Sequence, residues 1–311
     1  MLQKPVFLLL FGAAVALAQP AAVSPERTAA RGAIDGRLTW FDRHGNKVGT
    51  VGEPGIYRTL TISPDGKRVA AERTDRETQN KDIWIFEVGT NAATRFTSDP
   101  GWDAFPTWSP DAKRVVFTSN RGGVYDLYEK AATGSGEEQL FYKSEEGKAG
   151  NSWSRDGRFL IYYSIGQPTH LRLLAASGPA DREAVPLVDP KFGSVTGRFS
   201  PDGRWIAYTS NESGKNEVSV RPFDPATGRA GDPVVITSGG GRTPLWSGDG
   251  KELFYIAADG MVTGVDVKAG ATFGAGAAKP LFPAVAGILF WDVSPDRTGD
   301  QTRFLMPAPS N

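Results

Sequence analysis

Few residues in this chain have side chains that could perform chemistry. Its 311 residues include two histidines, His44 and His170, and no cysteine. Zinc and related metal centres need clustered His, Cys or carboxylate ligands, and a thiolate nucleophile needs cysteine. The two histidines fall in a predicted hairpin turn and at the start of a predicted strand, so we interpret both as structural residues. The sequence predicts no metal site and no cofactor.

Other catalytic and ligand-binding motifs are also missing from the sequence. The Gly-x-Ser-x-Gly elbow of serine hydrolases does not occur, and the glycine run at residues 239–241 lacks the lysine of a phosphate loop. The acidic loop from Asp224 to Asp232 lacks the Asp-x-Asp-x-Asp spacing of a calcium loop. We therefore predict no catalytic residue and a protein that is not an enzyme.

A series of aspartates recurs in one sequence context, two positions after a serine, as in Ser200-Pro201-Asp202-Gly203. Ser, Pro and Gly at these positions are typical of a type I turn, and a turn Asp accepts hydrogen bonds from nearby backbone N–H groups. A catalytic acid is needed once, so repetition indicates a structural turn motif. The six aspartates are Asp65, Asp111, Asp156, Asp202, Asp249 and Asp296. Ala112 takes the glycine position of one turn, where left-handed backbone predicts a cost of about 1 kcal/mol.

These turns belong to an internal repeat, because the turn serines recur at intervals of 45 to 47 residues. Each of the first five turns is followed by an apolar strand such as Arg204 to Thr209, and then by two more strands, for example Asp82 to Glu87 and Ala93 to Ser98. Four short strands in a repeat of this length are typical of a β-propeller blade. Aromatic residues directly precede most of the turn serines and are predicted to pack between blades. They are Trp108, Trp153, Phe199 and Trp246.

The two ends of the repeat region predict how the ring closes. Two strands, Leu38 to Arg43 and Lys47 to Val51, precede the first turn serine, whereas only one hairpin follows Ser294. Joining them completes one blade and leaves no sheet edge open. We predict an all-β fold over residues 37–311: a six-bladed β-propeller of four-stranded antiparallel blades, closed by the N-terminal strands completing the last blade.

The first residues have the pattern of a secretory signal peptide. Lys4 is followed by the apolar run from Val6 to Val15 and by Ala16-Leu17-Ala18, the small-residue pattern of a cleavage site. This apolar run is shorter than the roughly 20 residues that span a bilayer. We predict a signal peptide at 1–18, cleavage near Ala18 and a periplasmic or secreted bacterial protein without a membrane span. Residues 19–36 are predicted to be a flexible linker.

The charge of the chain argues against a nucleic-acid partner. Its 35 basic and 35 acidic residues cancel, and no Lys/Arg-rich run occurs. We expect a monomer whose partner is a protein or a peptide.

Arginine and aromatic residues gather where the innermost strand of each blade begins. In a propeller these segments surround one mouth of the central channel, and this composition is typical of binding hot spots. The predicted partner-binding residues are Tyr57, Arg58, Trp102, Asp103, Phe105, Arg198, Arg242, Phe290 and Trp291.

The repeated "SPDG" turn after an aromatic residue, followed by an apolar strand and "TSN", resembles the TolB-like or PD40 class of WD40-like propeller repeat. The resemblance covers about residues 37–306. The segment from Leu38 to Tyr57 is also similar to propeller regions that follow bacterial Ser/Thr kinase and transcription-regulator domains. TolB proteins carry an α/β domain before the propeller, and residues 19–36 are too short to form one.

Three functions fit this sequence. The first is an exported, non-catalytic scaffold that binds a protein or peptide, as the TolB resemblance implies. The second is a small-molecule binder or a sugar- or lactone-processing enzyme that uses Asp103, Arg198 and Arg242 in the channel. The third is a sensor module related to the propellers of kinases and transcription regulators. We favour the first, because no catalytic set is assembled.

Overall fold

The computed structural model describes residues 32–166, 168–270 and 272–310. The predicted signal peptide and most of the predicted linker lie outside these residues. The regular secondary structure of the described residues consists of β-strands and one short 3-10 helix at Gly299–Gln301. No helix in this part of the chain is long and apolar enough to cross a bilayer. The predicted all-β fold is confirmed.

The described strands follow β1 (Ile34–Phe41) in six groups along the chain. The first group is β2 (Lys47–Ile62), β3 (Arg68–Thr74), β4 (Lys81–Glu87) and β5 (Ala93–Arg95). The second is β6 (Asp103–Trp108), β7 (Arg114–Ser119), β8 (Asp126–Ala131) and β9 (Gln139–Tyr142). The third is β10 (Gly147–Trp153), β11 (Phe159–Ile165), β12 (Leu171–Ala175) and β13 (Ala184–Pro186). The fourth is β14 (Ser194–Phe199), β15 (Trp205–Ser210), β16 (Glu217–Asp224), β17 (Arg229–Ala230) and β18 (Val234–Val235). The fifth is β19 (Gly241–Trp246), β20 (Glu252–Ala257), β21 (Met261–Ala269), β22 (Phe273–Ala275) and β23 (Lys279–Pro283). The last is β24 (Asp292–Val293) and β25 (Phe304–Ala308).

Within each group the strands pair antiparallel and, up to the fourth strand, in chain order, as in a propeller blade. In the fourth group, β18 is the outermost strand and pairs with β16, and β17 pairs with the end of β16. In the fifth group, β23 is the outermost strand and pairs with β21, and β22 pairs with the end of β21. These groups are consistent with the predicted six blades. We number the blades 1 to 6 by their turn serines, Ser63 to Ser294.

The N-terminal strand completes blade 6, as the two chain ends predict. Strand β1 pairs antiparallel with β25, with Leu38 opposite Pro307 and Phe41 opposite Phe304. On its other side β1 pairs with the first part of β2, whose second part is the innermost strand of blade 1. Because β2 belongs to both blades, blades 6 and 1 share one seven-stranded sheet.

The hydrophobic core is divided into layers between neighbouring blades. Trp108, Trp153, Phe199 and Trp246 are buried and belong to four different clusters of buried apolar residues. Two of the indoles also bond the preceding blade: Trp108 Nε1 donates to the Thr61 carbonyl at 3.2 Å, and Trp246 Nε1 to the Arg198 carbonyl at 3.1 Å. The predicted packing of these residues between blades is observed.

The repeated turn has the same hydrogen bonds in blades 1 to 5. In blade 1, Ser63 Oγ donates to Asp65 Oδ1 at 2.6 Å, and Asp65 Oδ1 accepts the Lys67 N–H at 3.1 Å. The serine oxygen then accepts the Arg68 N–H at 2.9 Å. Partial burial raises the carboxyl pKa, but the hydrogen bonds from the serine hydroxyl and the backbone outweigh it, so the pKa of Asp65 lies below its usual value.

The turn of blade 6 differs, because its hairpin is longer. Ser294 Oγ accepts the N–H of Arg303, nine residues later, where the other turns use the residue five positions on. The intervening residues include the 3-10 helix. Asp296 is instead close to blade 1, where a Cβ added to Gly66 would lie 3.3 Å from its carboxyl group.

The left-handed turn position decides how these turns respond to substitution. Gly157 has φ +73°, and a Cβ there would meet nothing within 4 Å. Gly157→Ala should therefore lower the free energy of unfolding by about 1 kcal/mol through backbone strain alone. Gly239→Ala, also in open space but without a left-handed φ, is the control and should change little. Chemical denaturation measures both, and equal effects would contradict the explanation.

Ala112 shows how one blade tolerates a side chain at this position. Its φ is +55°, as the sequence predicts for the glycine position. The methyl group is buried in the cluster that contains Trp108 and Val115. Burying a methyl-sized group contributes about 0.8 kcal/mol, which offsets most of the strain.

Candidate functional site

The innermost strands carry a bulge four residues before the turn serine, and this bulge decides which side chains reach the channel. Phe105, Thr196 and Thr243 have φ of +51°, +55° and +53° at this position, and the pairing with the next strand shifts register there. Bulky and β-branched residues rarely adopt this conformation. The backbone N–H groups of Phe105 and Thr243 bond to threonine hydroxyls of the preceding blades, at 3.1 and 3.0 Å. The bulge is therefore held by contacts between blades.

Four side chains meet across the channel where the innermost strands begin. Phe105 of blade 2 lies 5.5 Å from Phe290, which precedes blade 6, and 5.8 Å from Tyr163 of blade 3, between ring centroids. The Arg58 guanidinium lies 4.9 Å from the Phe105 ring and 5.6 Å from the Phe290 ring. Blades 2 and 6 are not neighbours, so the contact between Phe105 and Phe290 crosses the axis. We call Arg58, Phe105, Tyr163 and Phe290 the plug.

Two of the four plug residues are buried, and Tyr163 and Phe290 are partly buried. Arg58 and Phe105 are 7% and 8% exposed. Arg58 forms an ion pair with Glu72 at 3.5 Å, and Glu72 also accepts a hydrogen bond from Thr59 at 2.8 Å. The plug therefore lies across the axis near the end where the sequence predicts the binding mouth.

The channel opens at the other end, where the turns lie. There a cavity of about 570 Å³ is bordered by the residue directly after each turn serine, so that every blade contributes. These rim residues are Pro64, Pro110, Arg155, Pro201, Gly248 and Pro295. At Gly248 a Cβ would lie 2.0 Å from the Pro295 carbonyl oxygen, which explains why this blade cannot use proline. We call this cavity the cup.

The wall of the cup is formed by the residue two positions before each turn serine. Four of these residues are uncharged: Thr61, Thr107, Ser152 and Leu245. The other two are Arg198 and Asp292, whose charges attract each other. Asp292 already accepts the backbone N–H groups of Ile62 at 2.7 Å and Val293 at 2.9 Å. Burial raises the pKa of Asp292 and lowers that of Arg198.

Arg198 is the charged group of the cup with free hydrogen-bonding capacity. Its Nη1 donates to the Asn151 carbonyl. Among the described residues, no carboxylate lies within ion-pair distance of its guanidinium group. At the rim, Arg155 is exposed and donates to the Pro201 carbonyl at 2.8 Å. The cup thus has one arginine on its wall and one at its rim.

The other predicted site residues lie elsewhere. Tyr57 and Trp291 are in the core: Tyr57 donates to the Glu53 carbonyl at 2.6 Å, and Trp291 Nε1 donates to the Thr243 carbonyl at 3.1 Å. Arg242 donates to the Ile288 carbonyl at 2.8 Å, and burial lowers its pKa. Trp102 lines a separate lateral groove.

Asp103, the candidate acid of the enzyme hypothesis, is fully buried. It forms an ion pair with Arg121 at 3.1 Å. Burial raises its pKa to about 6, against the hydrogen bond from Ser119 and the positive charge of Arg121. A substrate in the channel has no access to this carboxyl group.

The remaining titratable residues form no obvious centre. Within the described residues, no group of three or more His, Cys, Asp or Glu side chains is placed to hold a metal ion. His44 is exposed in the first hairpin turn, and the His170 N–H donates to Ser164 Oγ at 3.1 Å.

Known proteins resemble this chain in sequence and in structure. Residues 45–185, which extend from the first hairpin through blade 3, match the family model of the TolB beta propeller domain, PD40. The predicted resemblance to the TolB-like, PD40 repeat is confirmed over these residues. The putative TolB from Agrobacterium tumefaciens has a similar structure, with a TM-score of 0.64 at 18% identity, covering 89% of this chain and 100% of that chain. At this identity the likeness concerns the fold.

Curated relatives match this chain over part of their length. The uncharacterized peptidase YuxL of Bacillus subtilis is 29% identical over 162 residues, which are 52% of this chain and 23% of YuxL. The Tol-Pal system protein TolB of Wolinella succinogenes is 24% identical over 173 residues, which are 53% of this chain and 39% of that protein. The chain thus matches less than half of either relative.

Proposed function

We propose that this chain is an exported, non-catalytic binding scaffold that holds a protein or peptide partner in the cup. The observation that supports this most directly is the cup itself, an axial cavity to which every blade contributes a rim residue. Ligand-binding cavities commonly measure ~300–1,000 Å³, and the mouths of β-barrels are among the places where they occur. The likeness to TolB of Wolinella succinogenes, named for the Tol-Pal system, supports a protein partner.

The partner enters from the turn side and presents an acidic group. The plug closes the axis below the cup, so the ligand is a loop, a chain end or a side chain that ends inside. The Arg198 guanidinium has further N–H groups that can donate hydrogen bonds, and Arg155 adds a second positive charge at the rim. Guanidinium groups bind carboxylates with two parallel hydrogen bonds. The rim prolines give the partner a rigid, mostly apolar surface to rest on.

The carboxylates near the channel support binding over catalysis. Asp103 is fully buried, and both oxygens of Asp292 accept backbone N–H groups. A general acid or base must reach the proton that it transfers. YuxL is named a peptidase, but the similarity covers 23% of its length, so this name argues little for catalysis here.

Partner capture tests the proposal, with a control variant that matches the rim variant in charge. Immobilised protein is exposed to a periplasmic extract, bound proteins are identified by mass spectrometry, and their affinities are then measured with purified components. Arg198→Gln and Arg155→Glu should each weaken binding about tenfold or more, because a charged hydrogen bond contributes about 1.5–3 kcal/mol. Arg229→Glu, an exposed arginine away from the cup, is the control.

Folding is checked separately, because Arg198 is partly buried. Arg155 is exposed, so its substitution should change stability by about 0.5 kcal/mol or less. A partner that binds all three variants equally well does not use the cup. Turnover of a sugar, lactone or peptide substrate that Arg198→Gln abolishes would select the enzyme hypothesis.

A further inference from the structure

A second cavity lies apart from the cup, at the lateral end of blade 1. This groove has a volume of about 880 Å³. It is bordered by the loop between β3 and β4, by one end of the blade 1 sheet and by the segment that leads into blade 2. Its volume is within the range of small-molecule sites, ~300–1,000 Å³. None of the residues that line the cup lines this groove.

Two partly exposed indoles, Trp84 and Trp102, line the groove. A cation holds each of them: the Arg73 guanidinium lies 4.9 Å from the Trp84 ring, and the Lys81 ammonium lies 4.0 Å from the Trp102 ring. Trp84 also packs against the core between blades 6 and 1. Both rings are partly exposed, so part of each indole is open to a ligand in the groove.

The rest of the lining is polar and carries both signs of charge. Arg95 pairs with Asp82 at 2.7 Å, and Arg76 pairs with Asp35 at 2.6 Å. Arg73 donates to the Pro54 carbonyl at 3.4 Å, and none of the described carboxylates is within ion-pair distance of it. The lining has three arginines against four acids, Asp75, Glu77, Asp82 and Asp99, a balance of 3 − 4 = −1. Such a groove favours neither a polyanion nor a polycation.

From this lining we propose that the groove binds an uncharged oligosaccharide. A sugar ring has an apolar C–H face that stacks on an indole, and a rim of hydroxyl groups that both donate and accept hydrogen bonds. Guanidinium, carboxylate and amide groups side by side match such hydroxyls. Pro100 is the one aliphatic residue in the lining, so the groove offers little contact to the apolar residues of a peptide.

Titration of the intact protein with neutral tetrasaccharides tests the proposal. The probes are the tetramers of β-linked glucose, α-linked glucose and N-acetylglucosamine, and the readouts are tryptophan fluorescence and calorimetry. At least one should bind with a dissociation constant below about 1 mM, which corresponds to about −4.1 kcal/mol. Trp102→Ala should weaken this binding at least tenfold. Trp40→Ala, a partly buried indole outside the groove, is the control and should leave it unchanged.

Two further measurements make the result decisive. Trp84→Phe keeps an aromatic ring and the packing, so it should weaken sugar binding less than Trp102→Ala does. If Trp102→Ala does not fold, Trp84→Phe takes its place as the test variant. Capture of the protein partner should be unaffected by either variant, because the cup is elsewhere. Absence of binding by all three tetramers, or binding that neither variant weakens, overturns the proposal.

Discussion

Gly36→Ala should lower the free energy of unfolding by about 3 kcal/mol and open the last blade, because overpacking costs this much when no side chain can move aside. A Cβ at position 36 would lie 1.9 Å from the Ala308 carbonyl oxygen and 2.6 Å from its carbonyl carbon. Both are backbone atoms of β25, which is held between β24 and β1. Relief therefore requires the two chain ends to separate. Chemical denaturation and hydrogen exchange of β25 measure the effect.

Gly49→Ala is the matched control for this prediction. Gly49 lies in β2 opposite Trp40, on the other side of β1, and a Cβ there would meet only Trp40 Cδ1, at 3.9 Å. Alanine also loses less conformational freedom on folding than glycine, so this variant should be as stable as the parent or slightly more stable. If Gly36→Ala unfolds like Gly49→Ala, the pairing of β1 with β25 does not close the ring.

The closure of the ring could be predicted because its signals are local and repeated. The turn from Ser200 to Gly203 fixes one hairpin by its own chemistry, and the repeats fix the number of strands that each end must supply. The continuity of β2 was not predicted, because Gly52 and Pro54 look like a loop between two strands. In the structure the pairing with β1 shifts register opposite these residues, and a bulge absorbs the proline.

The candidate site could be predicted only in part, because the bulge breaks the alternation of side chains. In a regular strand Asp103 and Phe105 would share a face, yet Asp103 bonds to Arg121 within its blade and Phe105 crosses the channel. The sequence gives no sign of which residue takes the left-handed φ. Tyr163 was missed because it lies on a second strand, not on an innermost one.

The residues that form the cup occupy two fixed positions of the sequence repeat, which the amino-acid composition does not reveal. Its wall is the position two before each turn serine, where only Arg198 and Asp292 are charged, and its rim is the position directly after that serine. Prolines at the rim are explained by the turn itself, which leaves no reason to suspect a second role. Geometry was needed to show that one residue per blade meets around one opening.

Glu72→Ala should destabilise the protein by about 3–5 kcal/mol, because it leaves the plug arginine buried without its partner. The side chains of Arg58 and Glu72 are 9% and 1% exposed, and their charged atoms are 3.5 Å apart. Asp35→Ala is the control: its ion pair with Arg76 is shorter, at 2.6 Å, but both side chains are more than half exposed. Exposed pairs contribute about 0–1 kcal/mol, so the longer pair should matter more. Thermal and chemical unfolding compare the two.

A double variant separates the buried charge from the lost volume. Arg58→Met with Glu72→Leu removes both charges and keeps much of the packing, so it should recover most of the stability lost in Glu72→Ala. If all the Glu72 and Asp35 variants are equally stable, Arg58 is hydrated and the channel is open at the plug. If the channel is closed at the plug, the cup is open only on the turn side. The double variant leaves the residues of the cup unchanged, so it should capture the partner as well as the parent does.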